Sequence, residues 1–272
     1  MAPTLNIVGA GKVGRTLGRL FAAGGSFVIQ DVLTRSPASA HEALHFIGAG
    51  TAAASLSAMR PAQVWMLAAG DDQLAVVGSA LAARADMAGT IVFHCSGARS
   101  ALELASLRAA GAMTASVHPI RSFADPAQVA AQFEGTFCGV EGDSDALAVL
   151  LPAFAAIGAR CVEIDAAAKT VYHAASVFAS NYLVTVLDAA LRAYQAAGIS
   201  ESVARELAAP LAQESMANVF RLGAGAALTG PIARGDFATV ARQQAALDDW
   251  DGPSGELYRA LAVATTALAQ GR

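Results

Sequence analysis

The sequence predicts a doubly wound, mainly parallel α/β domain followed by an all-helical domain. Three observations carry this reading. A short apolar run, Leu5-Asn6-Ile7-Val8, ends in the glycine loop Gly9-Ala10-Gly11-Lys12-Val13-Gly14 and passes into a helical apolar pattern over 13–23. Short apolar runs then alternate with helical segments up to residue 164. After Asp165 no run reads as a strand, and the periodic segments are all helical. The expected division is therefore 1–165 and 166–272.

The opening segment has the order of a strand, a G-x-G-x-x-G turn and a helix, which is the entry to a dinucleotide-binding unit. Gly9 permits the tight turn, Gly11 lets backbone approach a pyrophosphate, and Gly14 lets the helix lie close to the strand. The free N–H groups of the first helical turn, aided by the helix dipole, then face the phosphates. Ala10, Lys12 and Val13 complete the loop as cofactor-binding residues.

The second strand is expected over 26–33, ending in Thr34-Arg35-Ser36. An NAD site places an acid about 20 residues after the last glycine to hold the ribose hydroxyls. Here that position is Thr34, followed by Arg35. Neutral and cationic groups at this place suit a 2′-phosphate, which favours NADP(H). Asp31, inside the strand, is the competing NAD reading.

A helix over 38–46 and a Gly48-Ala49-Gly50 loop follow. Further strands are expected over 64–69, 90–94, 112–117, 136–140 and 160–164, with a helix over 143–157 before the last. Ligands of such sheets bind beyond the carboxyl ends of the strands. Ala68-Ala69-Gly70, Ser96-Gly97 and His118 lie at such ends. The first three and Ser96 are therefore read as cofactor-binding, and Ser96, Gly97 and His118 as substrate-binding.

Beyond 165, helices are expected over 166–197, 201–222, 236–247 and 254–270, with a break at 223–235. On a wheel of about 100° per residue with Lys169 at zero, His173 lies at about 40°, Ser176 at about −20° and Ser180 at about 20°. Asn181 borders this stripe. The stripe has no glutamate or arginine and is otherwise alanine and serine, so it reads as a wet internal cleft rather than a solvated face. A lysine beside a cleft can give a proton to a developing alkoxide, and burial lowers its pKa toward the working range. Lys169 and His173 are accordingly the expected catalytic pair.

Composition narrows the partners. The chain has 272 residues and a net charge of −4, with no basic stripe, so neither nucleic acid nor an anionic membrane is expected. No run of 18 strictly apolar residues occurs, and no secretion signal precedes the first strand. Cys95, Cys138 and Cys161 are scattered without a C-x-x-C pair, which argues against a metal site and fits a reduced cytoplasmic setting. Of 18 basic residues only Lys12 and Lys169 are lysines. One lies in the phosphate loop and the other opens the first helix of the second domain.

The glycine loop, Thr34-Arg35-Ser36, His94-Cys95-Ser96-Gly97, Ser116-Val117-His118-Pro119, the run from Tyr172 to Asn181 and Leu228-Thr229-Gly230-Pro231-Ile232 together resemble one bacterial family. That family joins a Rossmann-like NADP-binding domain to a helical C-terminal domain of uncharacterised function. More distantly the chain is similar to the 6-phosphogluconate and 3-hydroxyisobutyrate dehydrogenases, with pyrroline-5-carboxylate reductase and ketopantoate reductase as cousins. In the hydroxyacid dehydrogenases a lysine on the first long helix of the second domain is the acid/base group, and Lys169 matches it. His173 stands where those enzymes keep a substrate-binding asparagine. The resemblance also implies a homodimer joined through the helical domains, with Thr229 and Gly230 on a substrate loop. The expected function is NADP(H)-dependent hydride transfer to a small carbonyl, hydroxy-acid or imine substrate. The alternative is an NADP(H)-binding sensor without turnover.

Overall fold

A computed structural model describes residues 1–271 of the chain. The residues divide into two compact units, Met1–Ser180 and Asn181–Arg272. The first contains β1 (Thr4–Val8), α1 (Lys12–Gly24), β2 (Val28–Leu33), α2 (Pro37–Ile47), β3 (Thr51–Ala52), β4 (Val64–Leu67), α3 (Leu74–Ala82) and β5 (Ile91–His94). It continues with α4 (Ala105–Ala109), β6 (Met113–Pro119), α5 (Pro126–Ala131), β7 (Phe137–Gly142), α6 (Ser144–Ala156), β8 (Arg160–Glu163) and α7 (Lys169–Val177).

The eight strands form one sheet in the order β3-β2-β1-β4-β5-β6-β7-β8. All neighbours are parallel except β6 and β7, where His118 pairs with Gly139 in an antiparallel register. The sheet is apolar on both faces, as a doubly covered parallel sheet must be. Alternate residues of each strand serve different cores. Val64, Met66, Ile91 and Phe93 join the core that holds α1 and α6. Trp65, Leu67 and Val92 join the core that holds α3 and α4. In the first core Phe21 meets Phe27 and Phe154 edge-to-face at 5.0 and 5.1 Å, and Phe93 meets Phe154 at 5.9 Å. Each fully buried aromatic of this kind contributes about 1.5–3 kcal/mol of burial. This packing fixes the strand ends on which the site is built.

Residues 178–182 form a π-turn, after which the second unit is entirely helical: α8 (Leu183–Ala196), α9 (Glu201–Leu222), α10 (Ala224–Ala227), α11 (Phe237–Trp250) and α12 (Gly252–Ala269). The predicted fold class stands. The structure adds β3, a two-residue edge strand within a glycine-rich loop, and the short helices α4 and α5. The compact unit also runs on past residue 165. α7 packs with the sheet, because its first residue sends a buried side chain into β6 and β7. The run 166–196 is one helical stretch, long and apolar enough by length and composition to cross a membrane, with a hydropathy of 1.4. It contains no strictly apolar run of 18 residues and reaches its mean through alanine, valine and leucine around polar breaks.

Candidate active site

The glycine loop folds as its spacing requires. Gly9 has φ +86°, and a Cβ there would stand 2.7 Å from the backbone of Ala68. A Cβ at Gly14 would stand 2.3 Å from the Gly9 carbonyl oxygen. Gly11 is different. It is the N-cap of α1, no side chain caps it, and a Cβ there would meet nothing within 4 Å. The first turn of α1 carries no acid. Open space, uncapped N–H groups and a positive helix end together fit a pyrophosphate. Lys12 donates from Nζ to the Ala124 carbonyl at 2.9 Å, which ties the segment after β6 to this loop. Ala10 is buried beneath the loop.

At the end of β2 the two cofactor readings separate. Asp31 is buried and accepts from the Arg60 backbone N–H at 2.7 Å, Nε at 3.1 Å and Nη2 at 2.6 Å. The Arg60 hydrogen bonds hold its carboxyl below the usual range against the opposing effect of burial. It is therefore committed to the fold and not available to ribose hydroxyls. Thr34, Arg35 and Ser36 lie at the start of α2. Ser36 caps that helix by accepting from Ser39 N–H at 3.2 Å, and the Thr34 and Ser39 hydroxyls are 2.9 Å apart. Arg35 is exposed beside these hydroxyls and a helix N-terminus, a set that suits a 2′-phosphate.

A cavity of about 250 Å³ opens beyond the strand ends, within the first unit. Val13, Ala68 and Ala69 line it from the glycine-loop side. Cys95, Ser96, Gly97, His118, Pro119 and His173 line it from β5, β6 and α7, and Asp71, Arg121 and Phe123 complete it. The expected residues Val13, Ala68, Ala69, Ser96, Gly97, His118 and His173 thus meet in one place. Gly70 caps the turn that follows β4 and does not line the cavity.

The loop after β5 is set by His94. Its Nδ1 accepts from Ser96 N–H at 3.2 Å, so Nε2 carries the proton and donates to the Ser100 carbonyl at 3.0 Å. Burial holds this imidazole neutral, with its pKa pushed down to about 4. Ser96 Oγ accepts from Ala98 N–H and Arg99 N–H at 3.2 and 3.0 Å, which leaves its own proton to donate to a ligand. Cys95 is no nucleophile here, since burial pushes its thiol up to about 12.

His118 and His173 face each other edge-to-face at 5.6 Å, above Gly97. A Cβ on Gly97 would lie 2.3 Å from His173 and 2.7 Å from His118, so glycine is required for the two rings to reach the cavity. Burial holds His118 near 4, with the charges of His173 and Lys169 acting in the same direction. Arg121 was not foreseen. Its Nη1 donates to the Gln132 carbonyl and to Thr136 Oγ1 at 3.1 Å, while its Nε and Nη2 have no protein partner among the described residues. Among the described residues it is the one arginine or lysine that lines this cavity, and the unused edge is a fork that fits a carboxylate. Its position two residues beyond Pro119, at the end of β6, is the signal that would have found it.

Lys169 departs from expectation. It is 1 % exposed and does not line the cavity. Its Nζ donates to Glu141 Oε1 at 2.9 Å and to Ser116 Oγ. Burial lowers its pKa, while Glu141 acts to raise it. Glu141 Oε1 also accepts from Ala101 N–H at 2.9 Å, and Ser116 Oγ donates to the Ser96 carbonyl at 3.4 Å. The ammonium therefore braces β6, β7 and the Ser96 loop from behind, and a proton donor has to be sought elsewhere. The stripe also breaks at its far end. The π-turn widens the helix over 178–182, so Ser180 leaves the phase of His173 and Ser176, and it is exposed. Ser176 is half-buried on α7 but does not line the cavity. Asn181, Thr229 and Gly230 belong to the second unit, where Thr229 is exposed and Gly230 has φ +95°.

Residues 3–119 match a Rossmann-like domain, and residues 136–265 match a domain of unknown function, DUF2520. The chain is a Rossmann-like domain joined to a DUF2520 domain. The second match starts inside the sheet, so β7, α6 and β8 belong to it. The site draws Ser96 and His118 from the first family region and His173 from the second. No curated protein matches the chain. A candidate NADP oxidoreductase from Bacteroides fragilis is similar at 19 % identity and a TM-score of 0.81, over 98 % of each chain. Protein TM1727 from Thermotoga maritima is similar at 25 % identity and 0.73, over 98 % of this chain and 99 % of its own. A reductive aminase from Aspergillus terreus, solved with NADPH and ethyl-5-oxohexanoate, is similar at 17 % and 0.67, over 99 % of this chain and 93 % of its own.

Proposed function

We propose that this protein is an NADP(H)-dependent oxidoreductase that reduces a small carbonyl or imine bearing a carboxylate. The observation that carries the reading is the single cavity that joins the glycine-loop side of the sheet to Ser96, His118, Arg121 and His173. The fold it shares with reductases solved with NADPH or NADP+ supports it.

Gly9, Gly11 and Gly14 shape a loop that would hold the pyrophosphate, with the first turn of α1 supplying the N–H groups. Thr34, Arg35 and Ser36 would hold the 2′-phosphate, and Ala68 and Ala69 would line the nicotinamide end of the site. When bound there, NADPH supplies a hydride to the substrate carbon. Arg121 anchors the carboxylate through Nε and Nη2. Ser96 Oγ–H and His118 hold the reacting oxygen or nitrogen. His173 delivers the proton that turns it into a hydroxyl or amine. Pro119 and Phe123 keep water from the reacting carbon. Lys169 holds the loop in place rather than exchanging protons.

The helical unit exposes Leu211 (59 %), Phe220 (90 %) and Val263 (69 %). An apolar surface of this kind suits a second copy of the chain, and a homodimer through the helical unit is part of this reading. The test measures NADPH binding by fluorescence, then NADPH oxidation with small 2-oxo acids, with and without ammonia, and with cyclic imino acids. Turnover is expected with at least one acid. Tight NADPH binding with no turnover across the panel would favour the sensor instead.

A further inference from the structure

Tyr172 has no part in the function set out above, yet its hydroxyl is 2.9 Å from Nδ1 of His118. The two rings meet edge-to-face at 5.7 Å. This contact exists only because β7 carries a glycine opposite His118. A Cβ on Gly139 would stand 2.3 Å from the Tyr172 hydroxyl oxygen and 2.7 Å from the carbon that bears it. The other side of the imidazole is cleared by a second glycine, since a Cβ on Gly97 would stand 2.7 Å from His118 Nε2. One ring nitrogen is thus turned to a phenol and the other to the cavity.

We infer that Tyr172 is a positioning residue: its hydroxyl donates to His118 Nδ1 and fixes the tautomer whose Nε2–H points into the cavity. His118 is then a neutral hydrogen-bond donor to the substrate's reacting oxygen or nitrogen, and His173 is left as the proton donor. This rests on the reductase reading of the cavity.

The direction of the Tyr172–His118 bond follows from what surrounds it. Burial pushes the phenol up to about 12, so it keeps its proton at any working pH. Among the described residues its one hydrogen-bond partner is His118 Nδ1 at 2.9 Å, so the retained phenol proton is donated there. The charges that face His118 are those of His173, Lys169 and Asp71. The first two oppose a positive ring and Asp71 favours one, while burial acts most strongly and keeps the ring neutral. A neutral imidazole with a fixed N–H is the form that polarises a carbonyl without giving up its proton.

Ring nitrogen NMR on protein labelled in its five histidines reads the tautomer directly. His118→Asn assigns the signal. The wild type is expected to show an unprotonated Nδ1 and a protonated Nε2, unchanged from pH 8 to 5. Tyr172→Phe should mix the two tautomers, and Gly139→Ala, which displaces the phenol without removing it, should do the same. With any acid that is turned over, Tyr172→Phe should lower kcat by about 10- to 100-fold and leave NADPH affinity unchanged, a smaller loss than the 10²–10³ typical of deleting a donor outright. A wild-type signal with Nδ1 protonated, or a Tyr172→Phe signal identical to it, overturns the inference even if the enzyme is active. A fixed tautomer in a protein that never oxidises NADPH overturns only the reductase reading.

Discussion

Lys169→Met removes one half of a buried ion pair. Lys169 is 1 % exposed and Glu141 8 %, so the carboxylate left behind has little access to water. It keeps one hydrogen bond, from Ala101 N–H, and Ser116 keeps only its long contact to the Ser96 carbonyl. Removing one partner of such a pair costs about 3–5 kcal/mol, because the other charge stays buried and unpaired. Against a total of about 5–15 kcal/mol this is a large share of stability. The double variant Lys169→Met with Glu141→Gln should recover most of the loss, since the amide oxygen still accepts from Ala101 N–H and no charge remains. Urea unfolding can be followed through Trp65, buried in the first unit, in a Trp250→Phe background. The same pair of variants separates the two roles of the lysine. If it only braces the site, the double variant keeps turnover within about tenfold of the parent; a general acid would take 10²–10⁴ with it. A single variant within about 1 kcal/mol of the parent, or a stable double variant that has lost turnover a hundredfold, would refute the reasoning.

Arg35→Ala should weaken NADPH binding about tenfold to a hundredfold and leave NADH unchanged, as the loss of one charge-assisted phosphate contact requires; equal losses for both cofactors would point to another 2′-phosphate site. Gly11→Val should keep its circular dichroism, because the added Cβ meets open space, and should lose NADPH binding, because that space is where the pyrophosphate goes. Arg121→Met should raise KM for a 2-oxo acid about a hundredfold and leave the corresponding amide unaffected, the difference being one bidentate carboxylate contact. Acid should destabilise the fold over a window that His118, also held near 4 by burial, shares with His94. The folded pKa of His94, about 4, lies below the ordinary value of 6.5. The unfolded chain therefore binds the extra proton, and this contribution, on the order of 3 kcal/mol, is complete above pH 6.5 and lost between 6.5 and 4. His94→Asn should flatten the slope of unfolding free energy over that window, while an unchanged slope would mean that other groups carry it.

The fold was legible because its signals are local. Alternation such as Val64 and Met66 against Trp65 and Leu67 states which side of the sheet each residue faces, and the glycine loop states what the first helix is for. The turn after β2 was equally legible, since Thr34 and Arg35 stand where an acid would otherwise be and Arg35 is exposed there. What sequence could not show is where long side chains end. Asp31, the competing ribose ligand, and Lys169, the expected catalytic group, are each spent on a partner far along the chain, Arg60 in one case and Glu141 in the other. Neither partner carries a local signature. Arg121 was hidden for the opposite reason: an arginine in a loop looks like a surface charge until Gln132 and Thr136 are seen to hold one edge of it.

The wheel placed Lys169 and His173 on one stripe, and in angle they do share a face of α7. The lysine stands on the first turn, where its length carries the ammonium past the cavity into the β6–β7 pair, while the shorter His173 stops at the cavity wall. A single helix therefore serves two layers. Its first residue fixes the strands that present Ser96 and His118, and its fifth lines the cavity. Tyr172 lies between them and reaches the back of the same His118 ring. The DUF2520 region thus contributes more than one wall to the cavity. It controls the orientation of a histidine that belongs to the Rossmann-like region, and so the chemistry on one side of the family boundary depends on residues from the other.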